Sequence, residues 1–252
     1  MEFIFALIIG LFLGGAAGHL GTLMLSQRMA LVAGPLGHLT LPGIALALIF
    51  NFDVSLGAFP FVMVGIFFIW LFEMKTKLPM EALTAVVFAT GVAITFLFLP
   101  QEKTVPALIG DISQVNLPAT LISVILSLSV FFMTKNIYSP MILAAISEDL
   151  AKAQRINVKR NQFLYLLCIA LTVALGVRIV GGLMTAALVA IPACTARNVS
   201  LNLMQYSYGG ILFGSLSCIL GLVFFKFTDL PIGPLIVIAS TFFFLISLFF
   251  KR

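Results

Sequence analysis

The sequence predicts an all-α polytopic membrane protein that crosses the bilayer about nine times. Apolar residues make up 62% of its 252 positions and charged residues only 9%, a balance that soluble domains of this size do not have. The apolar residues form continuous runs instead of alternating with polar ones, which favours transmembrane helices over the strands of a barrel. Because a helix needs about 20 residues to cross the bilayer, the chain has room for roughly eight to ten spans.

Nine apolar runs, separated by charged or polar residues, define the predicted spans. In chain order they cover 3–26, 36–50, 54–73, 80–99, 117–134, 162–178, 182–197, 205–226 and 232–250. The second and seventh runs are too short to cross about 30 Å unaided, so we expect them to be partial or enclosed by other helices. Gly10, Gly14 and Gly18 in the first run form a face of small residues, which favours close packing against another helix.

The distribution of basic residues predicts the orientation. With nine spans and an external amino terminus, 11 of the 14 Lys and Arg residues fall on the cytoplasmic side, together with the carboxyl terminus. Lys103 and Lys226 remain outside, with the segment 100–116 external. Arg178, near the outer end of the sixth span, is expected to extend its charge to the membrane surface. Eight spans would break this agreement.

A polar segment at 139–160 interrupts the apolar sequence and predicts helical structure outside the bilayer. Ser139 and Pro140 are favourable at a helix start, and a second start follows at Ser147. Asn157 is expected to close the helix in the left-handed conformation. The charged residues complement the helix dipole, acids first and bases last; they are Glu148, Asp149, Lys152 and Arg155. The segment is therefore expected either to dock a soluble protein or to lie on anionic lipid.

Three motifs, in order along the whole chain, resemble the permease subunits of zinc and manganese ABC importers. They are MALVAGPLGHLTLPG at 29–43, VGGLMTAALVAIPACTA at 180–196 and DLPIGP at 229–234. The polar segment is similar to the coupling helix of such permeases. The resemblance implies a type II ABC importer-like fold, in which residues 1–252 form a single transmembrane permease domain with a cytoplasmic coupling segment at 139–160.

The resemblance also implies the partners and the location. Two copies would form a homodimer in the cytoplasmic (inner) membrane of a prokaryote, an ATP-binding cassette subunit would dock on the coupling segment, and an extracytoplasmic metal-binding protein would deliver the ion. No GxxxxGK[ST] motif occurs, so we expect ATP hydrolysis in a separate chain. The alternative of an intramembrane enzyme lacks support, since neither HExxH nor GxSxG occurs. The lack of a hydrophilic domain argues against nucleic-acid binding.

Two histidines within predicted spans are candidates for transient metal ligands, because ionisable groups are costly in a membrane and imidazole suits zinc and manganese. His38 occupies the histidine of the family motif. The family pattern has an acidic residue four positions earlier, where this chain has Gly34. His19 is one candidate replacement, with an interhelical hydrogen bond as its alternative role. We expect zinc, or else manganese, as the transported ion and no permanently bound cofactor; a different small ligand is the alternative.

Two further residues have weaker claims as ligands. Glu81, at the inner start of the fourth span, matches an acidic position of the family, but it is equally suited to complementing a helix dipole. Cys194 lies in the second motif, where small residues are usual. It is expected to act as a small buried hydrophobe more readily than as a soft ligand.

Overall fold

The computed structural model describes residues 2–29, 33–50, 52–76, 78–98, 117–182, 184–228 and 230–250. Over these ranges the chain is helical and contains no strand. The external segment predicted at 100–116 lies outside the described residues.

The helices, in chain order, are α1 (Glu2–Ser26), α2 (Ala33–His38), α3 (Leu41–Phe50), α4 (Val54–Thr76), α5 (Met80–Phe98), α6 (Leu117–Ile146), α7 (Glu148–Ala153), α8 (Val158–Val180), α9 (Thr185–Val199), α10 (Leu203–Thr228) and α11 (Ile232–Phe249). Among the described residues, six helices are long and apolar enough to cross a membrane: α1, α4, α6, α8, α10 and α11. The predicted all-helical membrane architecture is therefore confirmed. The count of nine crossings stays a prediction, because it depends on α2, α3, α5 and α9.

Helices α1 and α8 lie at the centre of the bundle. In each of them 61% of the apolar window is buried, against 33% in the other four long helices, so these two contact protein on most sides. Helix α1 packs against α6, α8, α9 and α10. Because α1 is enclosed in this way, several neighbouring helices hold His19 and the carboxyl-terminal end of α1.

The predicted face of small residues on α1 is confirmed, and it packs against α10. A methyl group at Gly14 would come within 2.5 Å of the carbonyl oxygen of Gly214, and one at Gly18 would overlap the carbonyl of Gly210. The two backbones therefore touch directly. Any side chain at these positions would force α1 and α10 apart.

Helix α6 is continuous through the polar segment's first residues, so the prediction that Ser139 and Pro140 begin a helix is wrong. Its 30 residues span about 45 Å, more than the roughly 30 Å hydrocarbon core, so its end extends beyond that core. Tyr138 and Met141, on either side of the proline, are buried against the core. The Gln27 amide also donates a hydrogen bond to the carbonyl oxygen of Met141, at 2.7 Å. These contacts keep the helix intact past its proline.

Helix α7 begins as predicted but ends differently. The Ser147 hydroxyl oxygen accepts a hydrogen bond from the Leu150 N–H at 3.3 Å, as an N-cap does. Arg155, with φ of 58°, takes the left-handed conformation that was expected of Asn157. Asn157 instead caps α8, where its side-chain oxygen accepts from the Arg160 N–H at 3.0 Å. The connection between α7 and α8 is short, so the asparagine serves the helix that follows it.

Candidate transport site and docking segment

The motif that carries His38 folds into two short helices, α2 and α3, joined by Leu39 and Thr40. The Thr40 hydroxyl and N–H both donate to the carbonyl oxygen of Gly37, and the Thr40 carbonyl accepts from the Ile44 N–H at 2.9 Å. Leu39 and Thr40 are buried. These bonds satisfy the backbone groups that a helix break would otherwise leave unpaired in hydrocarbon. The break between α2 and α3 is therefore stabilised by its own hydrogen bonds within the bundle.

His38 presents an unengaged imidazole beside this break. Pro42 has no N–H to donate to the His38 carbonyl, which is one reason that α2 ends there. The imidazole ring is half-buried and tilts against Phe88 of α5, with the ring centroids 5.3 Å apart. Within the described ranges, its nitrogens have no hydrogen-bond partner. A ligand entering between α2 and α5 would therefore find a free nitrogen.

Gly34 lies one turn before His38 on α2, on the same helical face. Among the described residues, a Cβ atom at this position would meet the Cβ of Ala186 alone, at 3.6 Å, which is an ordinary van der Waals contact. A side chain is thus tolerated there. The acid of the family motif is missing for a reason other than lack of space at Cβ.

The carboxylates that the structure describes do not replace the missing acid. Where the chain is described, no group of three or more His, Cys, Asp or Glu side chains lies close enough to hold a metal ion. The Asp53 carboxylate forms an ion pair with the Arg178 guanidinium, at 2.8 Å between oxygen and nitrogen. The Glu73 carboxylate accepts two hydrogen bonds from the Gln162 amide, at 2.8 and 2.9 Å.

Glu81 is exposed at the start of α5, seven residues before the phenylalanine that His38 contacts. Seven residues correspond to about 10 Å along a helix, too far for Glu81 and His38 to bind one ion in this conformation. In the first turn of α5 it also complements the helix dipole. Cys194 is a free, half-buried cysteine in α9. The ligand roles of both residues stay predictions.

His19 is buried among α1, α6 and α10. Its ring stacks on that of Tyr138, with the centroids 5.3 Å apart, and its Nδ1 lies 3.0 Å from the hydroxyl of Ser207. The interhelical hydrogen bond expected as its alternative role is therefore present. Its Nε2 has no partner among the described side chains, but no carboxylate joins the cluster. His19 and His38 lie in different parts of the bundle, and the structure does not bring them together.

All four candidate docking residues of α7 and its end are exposed. The Lys152 ammonium lies 2.8 Å from the Glu148 carboxylate, one turn away. This contact lowers the pKa of Glu148 and raises the pKa of Lys152. Ala151 is buried on the bundle side of α7, whereas Leu150 is 54% exposed and Ile146, just before α7, is 75% exposed. The segment thus presents apolar and charged side chains together.

The sequence analysis missed one partly buried ion pair. Arg178 is 7% exposed and pairs with Asp53, so the prediction that its charge extends to the membrane surface is wrong. The Asp53 carboxylate also caps α4, accepting from the N–H groups of Ser55 and Leu56 at 2.8 and 3.3 Å. In the nine-span topology, Asp53, directly before the third span, lies on the same outer side as Arg178. That shared side is a weak signal for the pair, and it does not show that the two side chains meet.

Residues 1–251 match the ABC 3 transport family. The chain belongs to this family. The resemblance to zinc and manganese ABC importer permeases is thereby confirmed, as is the prediction of a transporter subunit instead of an enzyme.

Curated members of the family match along nearly the whole chain. The high-affinity zinc uptake system membrane protein ZnuB of Haemophilus influenzae is 27% identical over 255 residues, which cover 97% of this chain and 95% of ZnuB. The manganese transport system membrane protein MntC of Listeria monocytogenes is 23% identical over 249 residues, covering 97% of this chain and 89% of MntC.

A solved structure, PsaBC from Streptococcus pneumoniae in complex with Fab, has the same fold. The TM-score is 0.82, the identity is 23%, and the match covers 98% of this chain and 91% of the other. At this identity, the likeness shows that the two chains share a fold and shows nothing about their function.

Proposed function

We propose that this chain is the membrane-spanning permease subunit of an ABC importer. It moves a divalent metal ion, zinc in preference to manganese, across the cytoplasmic membrane of a prokaryote. The family match extends over residues 1–251, and the relatives include both zinc and manganese systems. The observation that most directly supports metal transport is the His38 imidazole beside a helix break, which has no hydrogen-bond partner among the described residues. Imidazole is a ligand of both zinc and manganese.

The preference for zinc follows from Gly34. A histidine without a carboxylate on its helical face has lost the hard oxygen ligand, which costs manganese more than zinc. We assign His38 as the main transient ligand, with Glu81 and His19 as secondary candidates that would need another conformation to contribute. Gly34 also favours the second candidate function, the same permease architecture carrying a different small ligand.

A homodimer fits the ligand count. Zinc usually takes three or four protein ligands, whereas the described residues place one free imidazole at the break. Two copies facing each other would each contribute His38 to a shared pathway. The single permease domain, residues 1–252, would then be half of the transport unit.

The energy source is a separate ATP-binding cassette subunit, which docks on the coupling segment at 139–160. Support comes from the exposure of Glu148, Asp149, Lys152 and Arg155 and from the exposed apolar side chains beside them. An extracytoplasmic metal-binding protein delivers the ion at the opposite end. Lys152 and Glu148 are paired one turn apart, and both are exposed, so both can contact the ATPase.

The orientation is amino terminus outside and carboxyl terminus inside. Nine crossings result if α2 and α3 together form one crossing and if α5 and α9 each form one. The short α9, at 15 residues, spans about 22 Å and is half enclosed by neighbours. A short crossing of this kind is tolerated where protein surrounds it.

Docking is tested by reversing the acids of α7. We expect Glu148→Lys with Asp149→Lys to leave the protein in the membrane while abolishing co-purification of the ATPase and ATP-driven uptake. The neutral variant, Glu148→Gln with Asp149→Asn, should have an intermediate effect. Normal ATPase binding and uptake in the reversed variant would show that α7 is not the docking element, and would support an interfacial helix on lipid.

Topology is tested by single cysteines in a background with Cys194→Ala, since Cys194 is the most accessible of the three cysteines. Gln154→Cys, at the exposed end of α7, should react only with a membrane-permeant reagent. Thr228→Cys, at the far end of α10, should react with an impermeant one. The reverse pattern would reject the external amino terminus.

A further inference from the structure

A cavity of about 560 Å³ lies among α1, α6, α9 and α10, at the end of the bundle where α6 leads into α7. It is lined by two arginines, Arg28 and Arg197, and by the aromatic ring of Tyr206. Its apolar lining includes Leu25, Ile142 and Leu203. The cavity therefore combines cationic groups with a hydrocarbon surface. Ile146 of the docking segment also lines the cavity, but neither arginine takes part in the proposed transport site or in the docking proposal.

The two guanidinium groups have no carboxylate partner in the part of the chain that the structure describes. The ion pairs found there are Lys152–Glu148 and Arg178–Asp53. The Arg197 guanidinium lies over the Tyr206 ring, 5.5 Å from its centroid, which restrains it at the cavity. Two positive charges on one cavity without a neighbouring negative charge favour an anionic occupant.

The backbone of Arg28 adopts a conformation that is unfavourable for residues other than glycine. It follows α1 with φ of 60°, a left-handed geometry that glycine adopts most easily. The turn is closed by hydrogen bonds from the Arg28 N–H to the Leu25 carbonyl, at 3.1 Å, and from the Met29 N–H to the Met24 carbonyl, at 2.8 Å. The closed turn fixes the backbone at Arg28, whose side chain lines the cavity.

We propose that this cavity binds an anionic phospholipid, with the headgroup phosphate between Arg28 and Arg197 and an acyl chain along the apolar lining. Arginine binds phosphate through two parallel N–H donors, and basic pockets between transmembrane helices accept anionic headgroups. Of the apolar side chains that line the cavity, Ile146 is 75% exposed and Leu203 is 44% exposed. A lipid covers such side chains, whereas a soluble anion leaves them in water, so the lipid is favoured.

The site would support the segment that leads into α7. Ile142 lines the cavity five residues before Ser147, the N-cap of that helix. A bound lipid fills the space beside the last turns of α6 and thereby restrains the junction between α6 and α7. Lipid composition would then affect how well the segment at 139–160 holds its geometry.

The test is native mass spectrometry and thermal unfolding of the full-length protein in detergent, with added phosphatidylglycerol, phosphatidylcholine or inorganic phosphate. We expect phosphatidylglycerol alone to be retained and to raise the Tm. Arg28→Gln with Arg197→Gln should weaken phosphatidylglycerol binding about 25-fold, from about five-fold per arginine. Arg28→Lys with Arg197→Lys should retain most of the binding. Lys75→Gln removes an exposed charge away from the cavity and should bind like the parent.

Several results would overturn the proposal. Equal phosphatidylglycerol retention by the parent and the double glutamine variant would show that the arginines do not form the site, and so would equal losses in the Lys75 control. Stabilisation by inorganic phosphate equal to that by phosphatidylglycerol would indicate a soluble-anion site. If the double glutamine variant keeps phosphatidylglycerol but no longer co-purifies with the ATPase subunit, a parallel measurement, the cavity belongs to the protein interface instead. A Tm in phosphatidylcholine that matches the parent's shows that the double variant is folded.

Discussion

Restoring the acid of the family motif, Gly34→Asp, should move the transport preference from zinc toward manganese. Where the chain is described, the Cβ of the new residue meets the Cβ of Ala186 alone, at 3.6 Å, so these residues do not need to move. Replacing glycine in a helix gains a few tenths of a kcal/mol to about 1 kcal/mol, so folding should be preserved. Residues four apart on a helix have Cβ atoms about 5–6 Å apart, which lets the introduced carboxylate and the His38 imidazole bind one ion.

The magnitude follows from the ligand gained. Loss of an outer-shell partner of a metal ligand costs about 10–100-fold in affinity, and a direct carboxylate ligand should be worth at least as much for a hard ion. We therefore expect the apparent KM for manganese to fall about ten-fold more than the KM for zinc. The assay is uptake of radiolabelled zinc and manganese over a range of concentrations.

Two matched variants separate charge from shape. Gly34→Asn adds nearly the same volume without the charge, and Gly34→Ala adds only the Cβ; both should keep the parent's preference. An equal KM ratio in the aspartate and asparagine variants would refute the reasoning, because the missing carboxylate would then not set the cargo. An unfolded Gly34→Ala protein would refute the structural half, since it would show that the Cβ does not fit.

The remaining predictions concern stability, measured as the Tm of the purified protein in detergent. Gly18→Ala should cost about 1–3 kcal/mol, because the added methyl overlaps the Gly210 carbonyl; a Tm equal to that of the Gly34→Ala control would contradict the close packing of α1 and α10. Asp53→Ala should cost roughly 2–4 kcal/mol, since it removes a helix cap and the carboxylate that faces buried Arg178. Asp53→Asn keeps a capping oxygen and should lose less; equal losses would mean that the cap contributes nothing.

The long helices could be predicted from the sequence because a span requires about 20 apolar residues and little else. The small-residue face of α1 was predictable for a similar reason, since three glycines at a four-residue spacing have few uses besides close helix contact. Boundaries set by tertiary contacts were not predictable. Pro140 looks like a helix start, yet Tyr138 and Met141 are buried against the core and the helix continues.

The candidate site was only partly predictable. The motif located His38, but its free imidazole depends on the break at Leu39 and Thr40 and on Asp53 and Glu73 having other partners. The shared outer side of Asp53 and Arg178 does not predict their contact, because the two residues are 125 positions apart in the chain. Contacts between residues so distant in sequence depend on how the helices pack.

Uptake of radiolabelled zinc and manganese in cells that lack this protein tests the central claim most directly. The parent chain should restore ATP-dependent zinc uptake, His38→Ala should reduce it sharply, His19→Ala should reduce it less, and the α7 charge reversal at Glu148 and Asp149 should abolish it. Restored uptake that is unchanged in both histidine variants would show that the histidines are structural. Failure of the parent to move either metal would contradict the account and favour a different cargo for the same permease.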